Sequence, residues 1–159
     1  MTSTTHPIAV VTTEVAPRSV KSLYPAPFAE RMEGREKRVL GDLFGLSNFG
    51  VNLTHLAPGG SSALRHSHAA QDEFIYIVQG HPSLITNEGK IQLTPGMCAG
   101  FKAGNGDAHQ LVNDSADMVI YLEVGDRTAG DEVTYPDDDL KAVFVEGQWQ
   151  FLHKDGSSY

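Results

Sequence analysis

Cysteine is nearly missing: Cys98 is the single thiol among 159 residues, so no disulfide can close within the chain. Long apolar runs are missing too. The longest apolar stretch near the start, residues 8–11, falls far short of the roughly 20 residues a membrane span needs. Residues 1–19 show no basic segment followed by an apolar run of secretory-signal length. A cytoplasmic location is therefore expected. Basic residues are scarce, 12 Lys plus Arg against 20 Asp plus Glu for a net charge of −8, which excludes an electrostatic grip on nucleic acid or an anionic membrane surface. Helical periodicity is also lacking, because no run of ten or more residues repeats its apolar positions at helical spacing.

What is present suffices for one domain. A chain of this length buries roughly 70% of the surface its unfolded form exposes, so it can fold on a hydrophobic core alone, and a bound metal would serve function rather than folding. Pro7, Pro17, Pro25 and Pro27 are four of the eight prolines, and they disfavour helix or central strand before about residue 30. Residues 1–37 are expected to form an extended N-terminal arm. From there on the chain is a series of short β-rich runs: 38–46, 49–57, 73–79, 83–86, 90–93, 98–101, 108–113 and 117–124. Turn signals at Pro58-Gly59-Gly60, Asn87-Glu88-Gly89, Pro95-Gly96 and Gly104-Asn105-Gly106 separate them at the spacing of an antiparallel sandwich or barrel. Residues 38–125 are the expected barrel of an all-β fold. Residues 126–159 add an acidic loop at Tyr135-Pro136-Asp137-Asp138-Asp139 and a C-terminal hairpin, 142–146 and 148–153, turning at Glu146-Gly147. Phe144, Trp149 and Phe151 would pack that hairpin on the barrel or a partner. The last segment carries eight acids against three bases, which places much of the negative charge away from the central residues.

Strand parity adds a surface. In residues 73–78 both alternating faces are apolar apart from Glu73, and residues 118–122 are apolar on both faces as well. One face would line the barrel interior and the other needs cover, expected from the proline-rich arm or from a second protomer in a homodimer.

The chemistry concentrates in residues 60–80. His66 and His68 stand two apart, which on a strand puts both imidazoles on one face about 6.6 Å apart at the backbone. Four residues later, after a tight turn, Glu73 can open the next antiparallel strand and add a carboxylate oxygen. Neutral imidazoles with one carboxylate suit a divalent first-row metal, and no thiolate is present to suggest structural zinc. The spacing Gly60, five residues, His66-x-His68, four residues, Glu73, six residues, Gly80 resembles the first signature motif of the cupin superfamily. Gly96, five residues, Lys102-Ala103-Gly104, four residues, His109, three residues, Asn113 resembles the second. The resemblance spans residues 60–113 and extends to small single-domain bacterial cupins. It implies a double-stranded β-helix of jelly-roll type, in which His66, His68, Glu73 and His109 hold one divalent transition metal, Fe, Mn, Ni or Zn, with His109 completing the site from the opposite sheet. A polar network without metal is the alternative, and it requires a proton on at least one imidazole.

Two departures stand in the second motif. Lys102 replaces the family's proline and two extra residues precede His109, so the loop is either more mobile or lets Lys102 reach the pocket mouth as a substrate cation. His55 shares an apolar strand face with Val51, Leu53 and Ala57. It reads as a core histidine bonded to backbone, or else as a proton shuttle beside the site. Gln71 or Asp72 could support a ligating imidazole, Cys98 is expected to be buried and inert, and His6 and His153 are expected in solvent.

A metal with three imidazoles and one carboxylate keeps positions open for a small oxygen-containing ligand. The resemblance implies two enzymatic routes, isomerisation of a sugar or sugar phosphate and oxidation with dioxygen, with a non-enzymatic binding protein as the alternative. Candidates to line the substrate pocket are His55, Ile75, Lys102, Leu111 and Tyr121. Against a phosphorylated substrate, residues 50–125 hold only three cations, Arg65, Lys90 and Lys102, and strand parity turns Arg65 away from His66 and His68.

Overall fold

Among the described residues, twelve strands and three short 3-10 turns make up the regular structure of the computed structural model, which describes residues 6–20 and 22–159. Residues 1–5 and 21 of the expected arm lie outside the described residues. The strands are β1 (Arg35–Val39), β2 (Phe49–Leu56), β3 (Ser67–His68), β4 (Glu73–Gln79), β5 (Ser83–Thr86), β6 (Gly89–Gln92), β7 (Cys98–Phe101), β8 (Gln110–Val112), β9 (Val119–Asp126), β10 (Glu132–Tyr135), β11 (Leu140–Val145) and β12 (Gln148–Leu152). The fold is all-β. No helix among the described residues is long and apolar enough to cross a membrane.

One sheet of five strands runs β1-β2-β9-β4-β7. Facing it, a three-stranded sheet β6-β5-β8 and a four-stranded sheet β12-β11-β10-β3 are joined by the antiparallel bridges Ser61 to Val112 and His66 to His109. Two apolar clusters fill the space between. Leu56, Ile75, Ile77, Val119 and Tyr121 of the large sheet meet Leu84, Leu93 and Leu111 at one end. Leu64, Val133, Tyr135, Leu140 and Ala142 meet Phe28 and Met32 of the arm at the other. Each fully buried Leu or Ile contributes roughly 1.5–3 kcal/mol.

The arm is tied down by its own residues, with Arg18 N–H donating to Lys37 O at 2.8 Å and Tyr24 packing edge-on against Tyr135 and Phe151. The expected strand at 38–46 is corrected: β1 starts at Arg35 and ends at Val39, and Gly41–Phe44 is a 3-10 turn that Gly45 closes at φ +69°. The acidic loop proves to be a tight hairpin, because β10 precedes it and pairs with β3 as well as β11. The C-terminal segment thus belongs to the sheet that carries His68. Its last hairpin turns where expected, with Glu146 and Gly147 both at positive φ, the backbone of a two-residue turn matched to strand twist. Gly80, which closes the first motif, has φ +83°, and a Cβ there would lie 2.7 Å from Met118 O. No other residue fits that position without a backbone shift.

Parity holds for the large sheet. Ile75 and Ile77 point into the core, whereas Phe74, Tyr76 and Val78 are 42%, 42% and 50% exposed on the outer face. Among the described residues the arm does not cover them. Cys98, set opposite Tyr76 on β7, is exposed rather than buried. His55 lies on the same outer side, paired across β1 and β2 with Glu36.

Candidate metal centre

His66 and His109 face each other across an antiparallel bridge, with His66 N to His109 O at 3.1 Å and His109 N to His66 O at 2.8 Å. His109 therefore stands beside His66 in one sheet, and it is Glu73 that comes from the opposite sheet. Residues 69–72 cross between the sheets rather than forming a hairpin turn, since β3 pairs with β10 and β4 with β7 and β9. This crossing brings a carboxylate against imidazoles that local pairing alone would not supply. Nε2 of His66, His68 and His109 lie 3.4, 3.5 and 3.0 Å from Glu73 Oε2. Ligand atoms of His66, His68 and Glu73 all lie within 4.8 Å of one another, a group that could hold a metal ion, and His109 adjoins it through the carboxylate.

The far sides of the rings fix their tautomers. His66 Nδ1 lies 2.7 Å from Leu64 O, so it must donate, which leaves a lone pair on Nε2. His68 Nδ1 donates to Asp131 Oδ2 at 2.5 Å, and Asp131 is fully buried with its other oxygen accepting the amides of Ala70 and Gln71. A carboxylate behind a histidine in this way orients the ring and raises its basicity toward a metal. His109 is sandwiched against Phe101, with ring centroids 3.5 Å apart and planes within 2°.

Charge follows the same geometry. Burial lowers the His109 pKa and the Glu73 contact does not overcome it, so this imidazole stays neutral. Burial also works against charge on His66 and Glu73, but Glu73 outweighs it at His66 and raises that imidazole, while His109, then His66 and His68, hold Glu73 well below the usual carboxylate value. Glu73 Oε2 and His109 Nδ1 are nonetheless buried without hydrogen-bond geometry to any group. A carboxylate oxygen ringed by three imidazole nitrogens yet hydrogen-bonded to none fits a ligand set for a divalent transition metal.

Lys102 is exposed and absent from the cavity wall, so the expected substrate cation is corrected. Hydrogen bonds replace the missing proline instead: Ala103 N donates to Asp72 Oδ1 at 2.8 Å, Gly104 N to His68 O at 2.9 Å, and Asn87 Nδ2 to Gly106 O at 3.0 Å. The Asp72 side chain thus anchors the loop and that of Gln71 donates to Thr128 O, so neither side chain hydrogen-bonds an imidazole. His55 is corrected too. It sits outside the cavity with Nδ1 3.0 Å from Arg38 Nη1, because which of two apolar faces turns inward is decided by sheet packing. Asn113 of the second motif is wholly buried and joins Leu56 O to Asp117 O. His6 is exposed, while His153 is half-buried against Asp139.

The ligand group opens onto a cavity of about 220 Å³ that Ile75, Leu111 and Tyr121 line as expected. Several of its other walls come from outside residues 60–113. Tyr24, Tyr135 and Trp149 form an aromatic side, where burial raises both phenols so that they remain protonated donors. Arg18, Arg35 and Lys37 supply cations. Arg35 and Lys37 alternate on β1 opposite Leu56 and Thr54, the inward face of β2. Lys37 Nζ donates to Glu123 Oε1 at 2.5 Å and Asn52 Nδ2 to the same oxygen at 2.8 Å. Burial opposes charge on Glu123, but Lys37 outweighs it and keeps the carboxylate ionised. Arg65, by contrast, turns out to Asp137 as parity requires.

The family model for the cupin domain matches residues 52–125. A sugar phosphate isomerase of the cupin superfamily from Silicibacter pomeroyi is similar over 95% of this chain and 96% of its own, at 38% identity and a TM-score of 0.90. A putative sugar phosphate isomerase from Acidithiobacillus ferrooxidans is similar over 87% and 96%, at 26% identity and a TM-score of 0.71. A predicted oxalate decarboxylase from Thermotoga maritima shares the fold at 19% identity and a TM-score of 0.60, over 76% of this chain and 100% of its own. A comparison with curated proteins gives no match.

Proposed function

The chain belongs to the cupin superfamily, and from that premise we propose that it is a metal-dependent enzyme that isomerises a small hydroxy-carbonyl compound in the cavity beside Glu73. The observation that carries the reading is the buried Glu73 carboxylate with three imidazoles around it, facing a cavity of about 220 Å³. That volume is roughly seven water volumes, a scale suited to a small metabolite. His66, His68, Glu73 and His109 would hold the metal, which when bound supplies Lewis-acid polarisation of a substrate oxygen. Glu123 lines the same cavity and stays ionised beside Lys37, which places a carboxylate and its paired ammonium where a proton next to a carbonyl would be exchanged. Tyr24 and Tyr135 remain protonated donors that can orient substrate hydroxyls. The sugar phosphate isomerase relatives support this route over oxidation.

We assign the reaction to the cytoplasm, and the assembly to a homodimer through the exposed Phe74, Tyr76 and Val78 face. Light scattering of Tyr76→Glu should give half the wild-type mass, and an unchanged mass contradicts the dimer. For the activity, metal-loaded protein should interconvert aldose and ketose in a panel of small sugars, free and phosphorylated, without consuming oxygen. Oxygen uptake without isomerisation would overturn the isomerase reading in favour of oxidation, and inactivity in both panels would favour a binding protein.

A further inference from the structure

Tyr121 and Glu123 stand two apart on β9, and both line the cavity. Across the sheet they pair with Thr54 and Asn52 of β2. Lys37 Nζ and Asn52 Nδ2 both donate to Oε1 of Glu123, so Oε2 takes no hydrogen bond from either. The neighbouring phenol is held differently. Tyr121 is 1% exposed, its ring packed in the cluster of Leu56, Ile75, Ile77 and Val119. Thr54 and Glu123 both act on its hydroxyl, yet Tyr121 Oη is buried without hydrogen-bond geometry to any group, and so is Thr54 Oγ1. Burial, and then the charge of Glu123, hold the phenol well above its ordinary value, so it keeps its proton. Native structures leave few buried polar groups unmatched, because each costs the desolvation of a lost hydrogen bond. An O–H fixed by its ring in a cavity wall, with no acceptor in place, is completed by an oxygen of whatever enters.

We propose that Tyr121 is a catalytic hydrogen-bond donor whose Oη–H meets the substrate oxygen that becomes negative while Glu123 takes the proton from the neighbouring carbon. The assignment deepens the isomerase reading and rests on it for the reaction. In the step the C–H bond breaks toward Glu123, its electron pair forms a C=C bond, and the carbonyl π pair moves onto oxygen to give an enediolate. Glu123 then returns the proton to the adjacent carbon while the hydroxyl proton passes between the two oxygens, which leaves Glu123 and Tyr121 as they began. No oxidant or reductant enters. A donor set in place before the reaction acts more strongly on the charged oxygen than on the neutral carbonyl, so its effect falls on turnover.

The test is Tyr121→Phe in the full-length, metal-loaded protein, which deletes one oxygen and keeps the ring. On any sugar of the panel that wild type converts, kcat should fall about 100-fold or more while KM stays within about twofold. Tyr159→Phe, exposed and outside the cavity, should match wild type. Melting temperature should equal or exceed that of wild type, because the lost hydroxyl has no partner in the free protein, and metal content should not change. Calorimetric titration with acetohydroxamate, a small planar mimic of an enediolate, should show saturable binding that weakens about tenfold in Tyr121→Phe. Unchanged kcat or equal acetohydroxamate affinity overturns the donor role. A lower melting temperature or failure to fold overturns it too, since the hydroxyl would then be holding structure. The two readings fail separately. Isomerisation that survives Tyr121→Phe removes the donor and keeps the isomerase, whereas acetohydroxamate binding that depends on Tyr121 without turnover of any sugar keeps the donor and removes the isomerase. Neither turnover nor acetohydroxamate binding in wild type overturns both.

Discussion

The wall of the cavity that carries His66, His68, Glu73 and His109 and the wall that carries Arg18, Arg35 and Lys37 are held by different means. The first is locked from behind: Leu64 O, Asp131 and Phe101 each fix one imidazole, and the backbone bridge between His66 and His109 sets their separation. The second rests on one strand edge and the arm, with Arg18 held by its own backbone bond to Lys37 and by Val20 O. A rigid wall suits metal coordination, which tolerates little displacement, and a lighter one suits a side of the cavity that a small molecule must pass.

The largest effect should follow from removing the shared carboxylate. Glu73→Gln is expected to lower metal affinity by more than the roughly 10–100-fold typical of a supporting residue, read as metal per chain after dialysis. Asp131→Asn removes the charge behind His68 and should cost metal affinity about 10–100-fold, while leaving the Lys37–Glu123 pairing, read by the pH dependence of unfolding, intact. A change in both properties would erase the distinction between the walls.

A smaller effect is expected at the cationic wall. Lys37→Met leaves the buried Glu123 carboxylate without its charge partner, at a cost of about 1–3 kcal/mol near neutral pH for a pair that keeps some solvent contact. The sign with pH follows from Glu123, whose folded pKa lies below its ordinary 4.5. Its stabilising contribution is present above that value and is lost as pH falls through the folded pKa. The difference between Lys37→Met and wild type should therefore shrink as urea unfolding is repeated from about pH 7 down to pH 4 and below. A difference that grows toward acid contradicts the pairing. The smallest effect is expected from Lys102→Ala, within about 0.5 kcal/mol in stability and none in metal binding, because hydrogen bonds from Ala103, Gly104 and Asn87 already hold that loop.

The two walls also differ in how far the sequence discloses them. His66, His68 and Glu73 lie within eight residues at strand spacing, so chemistry and geometry can be read together, and strands such as 73–79, 83–86 and 98–101 follow from their turn residues. Asp131 contacts His68 across 63 positions, directly before β10, a strand that its acidic surroundings disguise as loop. Arg35 and Lys37 carry a usable signal, since alternate residues share a strand face. A first strand taken to begin at Arg38 leaves both outside it. His55 shows the complementary limit: parity places it correctly with Val51 and Leu53, but nothing local tells which apolar face turns inward.

Metal content bears most directly on the central claim. Protein purified without chelator and analysed by inductively coupled plasma mass spectrometry should carry about one divalent transition metal per chain, and Glu73→Gln prepared alongside should carry less than about a tenth of that. Wild-type protein that binds no metal even after reconstitution, or a Glu73→Gln variant that retains it fully, would contradict the account.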